Sequence, residues 1–427
     1  MGLIVGRVDR SGVEDFRYTL EKALETTEFW KERFSGVNAE EITPKDLAEL
    51  TDRVTIEPHD LYRTSEIWPD YIRDPKIFYT VMRTSGTTGR PKRVPYTRDD
   101  RMRSGRQLEP WIREYMDRGD RIASFFPPLP SSSGMFAFGG FEAINAKTAY
   151  YQVPIQYLLD REMLLRELQD IKPTSIFCLT ATAYNLGLTL PESIKKDIQT
   201  IVVGGETLTP ELARATLELF ENAVIIDNFG STEDAVTGYR VITRKKATKF
   251  NFGESIVVLK DSGDGYDDYK RIYITKVMRN GELTGLPLFN YDIGDLARIE
   301  NGEVRNIIRI KDVVTLAGAK LHIDQVMEIV YDHPDLLDFV IIYHPLSPEN
   351  PKPKATIRIA YGEKKPAGIE EEVRELLYEA NNPVRYEVEE SQQAELEIVA
   401  VPLEKLRADL PKRLGKTKRI YIVGKDL

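Results

Sequence analysis

The sequence predicts an α/β protein: a large N-terminal domain with parallel-rich sheets, helices and a β-subdomain, then a small α+β domain. Three observations predict it. Between residues 145 and 227, β-branched apolar runs alternate with amphipathic stretches. Such strand–helix alternation implies parallel strands with helices on both faces. Residues 250–310 instead carry short strands punctuated by Gly, Asp and Asn, the pattern of an antiparallel β-subdomain. After Arg309-Ile310-Lys311-Asp312 the rhythm changes again, to a compact unit of about a hundred residues, a usual domain size. The division is therefore expected at 1–310 and 311–427.

Taken in order, residues 13–35 read as one helix, with Phe16, Leu20, Ala23 and Leu24 at helical spacing. Thr43-Pro44 and Glu57-Pro58 look like helix starts, with Pro near the first turn. Residues 77–82 are β-branched and aromatic, a strand. Residues 99–117 suggest an amphipathic helix interrupted by Pro110, and 121–126 a strand running into the Pro- and Ser-rich loop 127–134. The run Met135-Phe136-Ala137-Phe138-Gly139-Gly140-Phe141 reads either as pocket lining or as core. Strands then follow at 148–153, 175–179, 200–203 and 224–227, with helices at 158–170, 184–188 and 210–220. In the last unit, helices at 323–331 and 369–380 accompany strands at 337–343, 355–361 and 395–402.

Composition excludes several classes of function. With 59 basic and 68 acidic residues the net charge is -9, which disfavours broad nucleic-acid or anionic-membrane binding. No apolar run approaches the ~18 residues a membrane span needs. The apolar N-terminal run is too short, and too soon charged, for a signal peptide, so a cytoplasmic location is expected. One cysteine, Cys178, in an apolar run, precludes a disulfide framework and reads as a buried thiol. The four histidines show no metal-ligand spacing.

The informative stretch is Thr84-Ser85-Gly86-Thr87-Thr88-Gly89-Arg90-Pro91-Lys92. Glycines let backbone N–H groups converge, hydroxyls donate to anionic oxygens, and Lys92 adds charge: the chemistry of a phosphate cradle. It lacks the Gly-Lys-[Ser/Thr] ending of the Walker loop. Other polar segments follow strands, where ligands of parallel sheets bind. Gly205-Glu206 is one, and Asn228-Phe229-Gly230-Ser231-Thr232-Glu233 another. Phe229 offers a stacking ring and Glu233 a carboxylate suited to Mg²⁺. Asp295 could take the hydroxyls of a ribose. Each has a bland alternative: residues 229–233 as a capped helix start, Asp295 closing a turn, 309–312 a solvated charge cluster, Lys416 a surface lysine. Their joint occurrence in this order favours the functional reading.

In these segments the sequence resembles the ANL superfamily of adenylate-forming enzymes over nearly its whole length. Phe29-Trp30-Lys31-Glu32-Arg33-Phe34, residues 55–61 and the ending Gly415-Lys416-Thr417-Lys418-Arg419 resemble its phenylacetate–CoA ligase branch. The resemblance implies that Thr84, Ser85, Gly86, Thr87, Thr88, Gly89 and Lys92 form the phosphate loop. It places Gly205, Glu206, Asn228 and Phe229 at adenine, Thr232 near the α-phosphate and Glu233 on Mg²⁺. Asp295, assisted by Arg309, would bind ribose; Lys311 would be the hinge of a mobile C-terminal domain, and Lys416 the catalytic lysine. Departures are Ile308 where glycine is usual and Phe229 where tyrosine is commoner. The implied activity is ATP- and Mg²⁺-dependent ligation of a carboxylic acid, aryl such as phenylacetate, to CoA. Transfer of AMP or acyl to a non-CoA acceptor, and a non-catalytic nucleotide-binding protein, are the alternatives. The branch is often dimeric, so a homodimer is an expectation.

Overall fold

The computed structural model describes residues 3–49, 54–56, 60–62, 64–74, 76–77, 79–83, 92–116, 119–127, 132–261, 269–309, 313–317, 319–345, 350–411 and 419–423. At its centre lies a six-stranded sheet in the order Thr148–Gln152, Asp120–Ser124, Ser175–Leu179, Thr200–Gly204, Val224–Ser231, Ala235–Ile242. The first five strands are parallel and the last is antiparallel. Alternate residues face opposite sides. Ile176, Cys178, Ile201 and Val203 join one apolar core with the helices Arg161–Ile171, Thr180–Thr189 and Pro210–Leu219. Phe177, Leu179, Val202 and Ile226 join another with Arg10–Thr26, Arg98–Tyr115 and Ser132–Ala143. Both faces are thus covered, as the alternating pattern requires. Cys178 is buried, and burial pushes its thiol pKa well up, so it is an inert core residue.

The β-subdomain is a five-stranded antiparallel sheet: Leu3–Gly6, Ser255–Asp261, Tyr269–Lys276, Tyr291–Glu300, Glu303–Arg309. Its first edge strand comes from the N-terminus, a stretch whose sequence was read only for targeting. A hairpin, Tyr79–Arg83 with Arg93–Thr97, flanks residues 84–91. The last sheet runs Glu395–Pro402, Lys354–Tyr361, Leu336–His344, Ile420–Ile422. Helices Ile323–Asp332 and Ile369–Ala380 pack with it.

Three local expectations are corrected. The single helix at 13–35 is two, Arg10–Thr26 and Glu28–Arg33, because Thr27 adopts an extended conformation. Pro110 does not interrupt its helix, which runs from Arg98 to Tyr115 through it. That helix is held at its N-terminus: Thr97 and Asp100 form a capping box, and buried Asp100 also accepts from Thr284 Oγ1 and Gly285 N, both at 2.8 Å. The strand expected at 224–227 is longer, and residues 229–233, for which a capped helix start was the bland alternative, do not start a helix. The strand continues to Ser231, turns, and returns as Ala235–Ile242.

Candidate functional site

Two sheets converge on the site. The central strands Thr200–Gly204 and Val224–Ser231 deliver Gly205 and the segment around Asn228, while the β-subdomain strand Tyr291–Glu300 delivers Tyr291 and Asp295. Between them lies an open cleft, lined by Gly205, Glu206, Asn228, Phe229, Asp295, Asp227 and Phe250, among others. Five residues chosen from the sequence therefore share one cavity. Gly205 leaves its strand at φ +79, a conformation that favours glycine.

The side chains divide the work. Phe229 packs edge-on against Phe250 and Phe252, with ring centroids 6.3 and 6.4 Å away, and is anchored in a small aromatic core. Phe250, which the sequence reading did not single out, is stacked under the Arg240 guanidinium at 4.9 Å. Arg240 also pairs with buried Asp227 at 2.8 Å. Glu206 accepts from the backbone N–H of Ala181 at 3.0 Å, at the start of Thr180–Thr189, where the helix dipole favours a carboxylate. Asn228 Oδ1 is buried and has no hydrogen-bond partner among the described residues. Asp295 is buried, and its backbone pairs with Arg309 across the sheet.

The turn after Gly230 carries the second part of the site. An added Cβ at Gly230 would meet the Ala235 carbonyl oxygen at 2.0 Å, so only glycine allows this close return of the chain. Ser231 Oγ accepts from the N–H groups of Glu233 and Asp234, both at 3.2 Å. Thr232 is held twice: its carbonyl accepts from Tyr96 at 2.6 Å, and its hydroxyl lies 3.0 Å from that of Ser132. Ser132 begins the Ser132–Ala143 helix.

Glu233 is buried and ion-paired with Lys92. Tyr291 joins them: its hydroxyl accepts from Lys92 Nζ at 3.0 Å and donates to Glu233 Oε1 at 2.8 Å. Burial alone would raise the Glu233 pKa, but the Lys92 charge and the hydrogen bonds from Lys92 and Tyr291 outweigh it and hold it below the ordinary value. Burial, with the Glu233 charge behind it, pushes the Tyr291 hydroxyl well above its ordinary value. It therefore stays a neutral donor. The partners of Tyr291 lie far off in the chain, so no local signal in the sequence marked it.

Residues Thr84, Ser85, Gly86, Thr87, Thr88, Gly89, Lys311 and Lys416 lie outside the described residues, as does the side chain of Arg309. Among the described residues no cluster of three or more His, Cys, Asp or Glu forms a metal cage. A single buried carboxylate fits Mg²⁺ that arrives on nucleotide phosphates, since Mg²⁺ takes one or two carboxylates with phosphate oxygens and waters. No helix among the described residues is long and apolar enough to cross a membrane.

A family model described as AMP-binding enzyme matches residues 24–260. The "Putative acyl–CoA ligase YdaB" of Bacillus subtilis (strain 168) is 25% identical over 369 residues, covering 77% of this chain and 69% of that protein. A "Medium/long-chain-fatty-acid–CoA/3-oxocholest-4-en-26-oate–CoA ligase" of Mycobacterium marinum is 23% identical over 309 residues, covering 61% of this chain. The match spans 53% of that second protein, about half its length. The crystal structure of 2-hydroxyisobutyryl-CoA ligase in the postadenylation state with 2-HIB-AMP superposes with a TM-score of 0.72 at 15% identity. It covers 99% of this chain and 91% of that one, a likeness of fold.

Proposed function

The chain belongs to the AMP-binding enzyme family, within the ANL superfamily of adenylate-forming enzymes, and from that premise we propose that it is an AMP-forming carboxylic acid–CoA ligase. One observation carries the nucleotide part of the reading. Asn228, Phe229 and Asp295 line one cleft, and Asn228 Oδ1 is a buried acceptor with no partner among the described residues. Adenine offers an amino donor and a flat face, and ribose offers two hydroxyl donors. Gly205 and Glu206 line the same cleft, and the Glu206 carboxylate is engaged at a helix N-terminus.

In this reading the loop with Thr84, Ser85, Gly86, Thr87, Thr88 and Gly89 takes the β- and γ-phosphates with Lys92, and Glu233 holds Mg²⁺. Bound there, the ion would neutralise phosphate charge. The carboxylate of the acid attacks the α-phosphorus and pyrophosphate leaves, giving acyl-AMP. Two anions must approach, so charge has to be offset where it develops. Lys416 is assigned that role, with the Thr232 hydroxyl beside the α-phosphate. The CoA thiol then attacks the acyl carbon and AMP leaves. Arg309 would support Asp295 on ribose, and residues 311–427 would rotate about Lys311 between the two steps.

The acid is proposed to be aryl, such as phenylacetate. Support comes from the resemblance and from the Ser132–Ala143 helix, which starts at Thr232 and carries Phe138 six residues on, about 9 Å along the axis. Phe141 of the same helix is spent on the core, against Trp111 and Phe177. Phe138 is half-exposed and meets the Tyr150 ring edge-on at 5.8 Å. ATP–pyrophosphate exchange over a panel of aryl and alkyl acids tests the reading, and exchange is expected with aryl acids. Exchange with alkyl acids alone would remove the aryl assignment. AMP release that continues at full rate without CoA would transfer the acceptor role to another nucleophile.

A further inference from the structure

We propose that Tyr291 is a positioning residue of the nucleotide site: its hydroxyl keeps the Glu233 carboxylate aimed when Lys92 leaves it for the phosphates of an arriving nucleotide. The inference rests on the nucleotide reading above. It starts from a polarity that chemistry fixes. An ammonium only donates, an ionised carboxylate only accepts, and a phenol has one proton. The chain therefore runs from Lys92 Nζ to Tyr291 Oη at 3.0 Å, and from Tyr291 Oη to Glu233 Oε1 at 2.8 Å. Lys92 also bonds Glu233 directly, so Oε1 has two donors.

The two donors differ in how they are held. Tyr291 is 1% exposed. Its backbone pairs with Ile274 on one side and bridges Ile56 on the other, where Asp292 N donates to Ile56 O at 3.0 Å. A side chain rooted between two strands cannot follow a ligand. Lys92 stands just before the hairpin strand Arg93–Thr97, on a long aliphatic stem that is more exposed than Glu233. It can exchange the carboxylate for phosphate oxygens, two anionic partners competing for one cation. When it does, Oε1 keeps the phenol as its donor. The carboxylate then stays in the orientation that Tyr291 gives it, available to a metal ion brought in on the phosphates.

The test measures binding rather than turnover, by titration calorimetry on the full chain with ATP at graded Mg²⁺ and with AMP alone. In Tyr291→Phe the Mg²⁺ concentration needed for half-maximal ATP binding is expected to rise about tenfold, the size of one charge-assisted hydrogen bond. AMP, which needs no metal, should bind within twofold of wild type. In a Glu233→Gln background the same change should add nothing. Equal losses for AMP and ATP, an unmoved Mg²⁺ dependence, or a full effect in the Glu233→Gln background would each overturn the proposal. Should Tyr291→Phe not fold, Lys92→Met, which removes the side-chain donor at that position, decides. There Tyr291 is the remaining donor to Oε1, so ATP affinity should fall with its Mg²⁺ dependence kept, and loss of that dependence would overturn the proposal. A wild-type protein that binds neither nucleotide would instead bring down the nucleotide reading itself.

Discussion

Gly230 and Lys92 show how tightly single residues constrain the site. At Gly230 a methyl group would press on backbone, the Ala235 carbonyl, and backbone in a turn has little room to give. Gly230→Ala is expected to cost about 1–3 kcal/mol, as overpacking does, and to displace Thr232 and Glu233. Calorimetry should show weakened Mg·ATP binding together with a lowered Tm; unchanged binding would mean the turn adapts. The triad of Lys92, Glu233 and Tyr291 allows a ranking. Removing one partner of a buried ion pair costs about 3–5 kcal/mol, because the other charge stays buried. Removing one hydrogen bond to a charged group costs about 1.5–3 kcal/mol. Denaturant midpoints should therefore fall in the order wild type, Tyr291→Phe, Lys92→Met. A Lys92→Met protein as stable as wild type would show that Glu233 reaches solvent more readily than its 4% exposure implies.

Between elements, the clearest tie is Asp338 at the start of Leu336–His344. Its carboxylate accepts from Arg419 at 2.5 Å and Arg407 at 2.7 Å, and Tyr331 donates to it at 2.9 Å. Arg419 immediately precedes the short strand Ile420–Ile422, so the carboxylate fastens that strand to the sheet. Burial would raise the Asp338 pKa, but the two guanidinium groups hold it far below the carboxylate range. A depressed folded pKa contributes stability above the unfolded value, and that stability is lost as pH falls toward the folded one. The stability gap between wild type and Asp338→Asn should thus be full at pH 7 and shrink steadily below about pH 4. A gap independent of pH would place the effect in packing. The same scale explains what the sequence could reveal. Strands at 175–179 and 395–402 were legible to the residue, because Pro173 precedes one apolar run and Pro402 ends the other. Leu3–Gly6 was not, since its partner Ser255–Asp261 lies far along the chain and four residues carry no period. Nor was the break at Thr27, where the apolar spacing runs on unchanged. Gly205, Glu206, Asn228, Phe229 and Asp295, which line the cleft, were legible through motif order, while Tyr291 and Phe250 became visible only once strands distant in sequence were adjacent.

Across the molecule, one apolar cluster extends from Ala123 of the central sheet to Ile420 of the last sheet. The joint between them includes the edge-on pair Tyr184–Tyr331, centroids 5.2 Å apart, and the exposed ion pair Arg214–Asp332. Beyond shared apolar area, these two contacts supply on the order of 1–2 kcal/mol, since an exposed pair is worth little. The proposed rotation of residues 311–427 would have to part that shared apolar area as well as these two contacts. The rotation makes an asymmetric prediction. If Lys416 serves only the first half-reaction, Lys416→Ala should lower acid-dependent ATP–pyrophosphate exchange by at least a hundredfold. Thioester formation from supplied acyl-AMP and CoA should stay within a few-fold of wild type. Lys311→Pro should do the reverse, because a fixed φ stiffens the hinge without touching the first reaction's charges. Equal losses in both half-reactions for Lys416→Ala would mean that the lysine holds the fold or the nucleotide throughout. The two units would then act as one rigid body, held together by the apolar cluster they share.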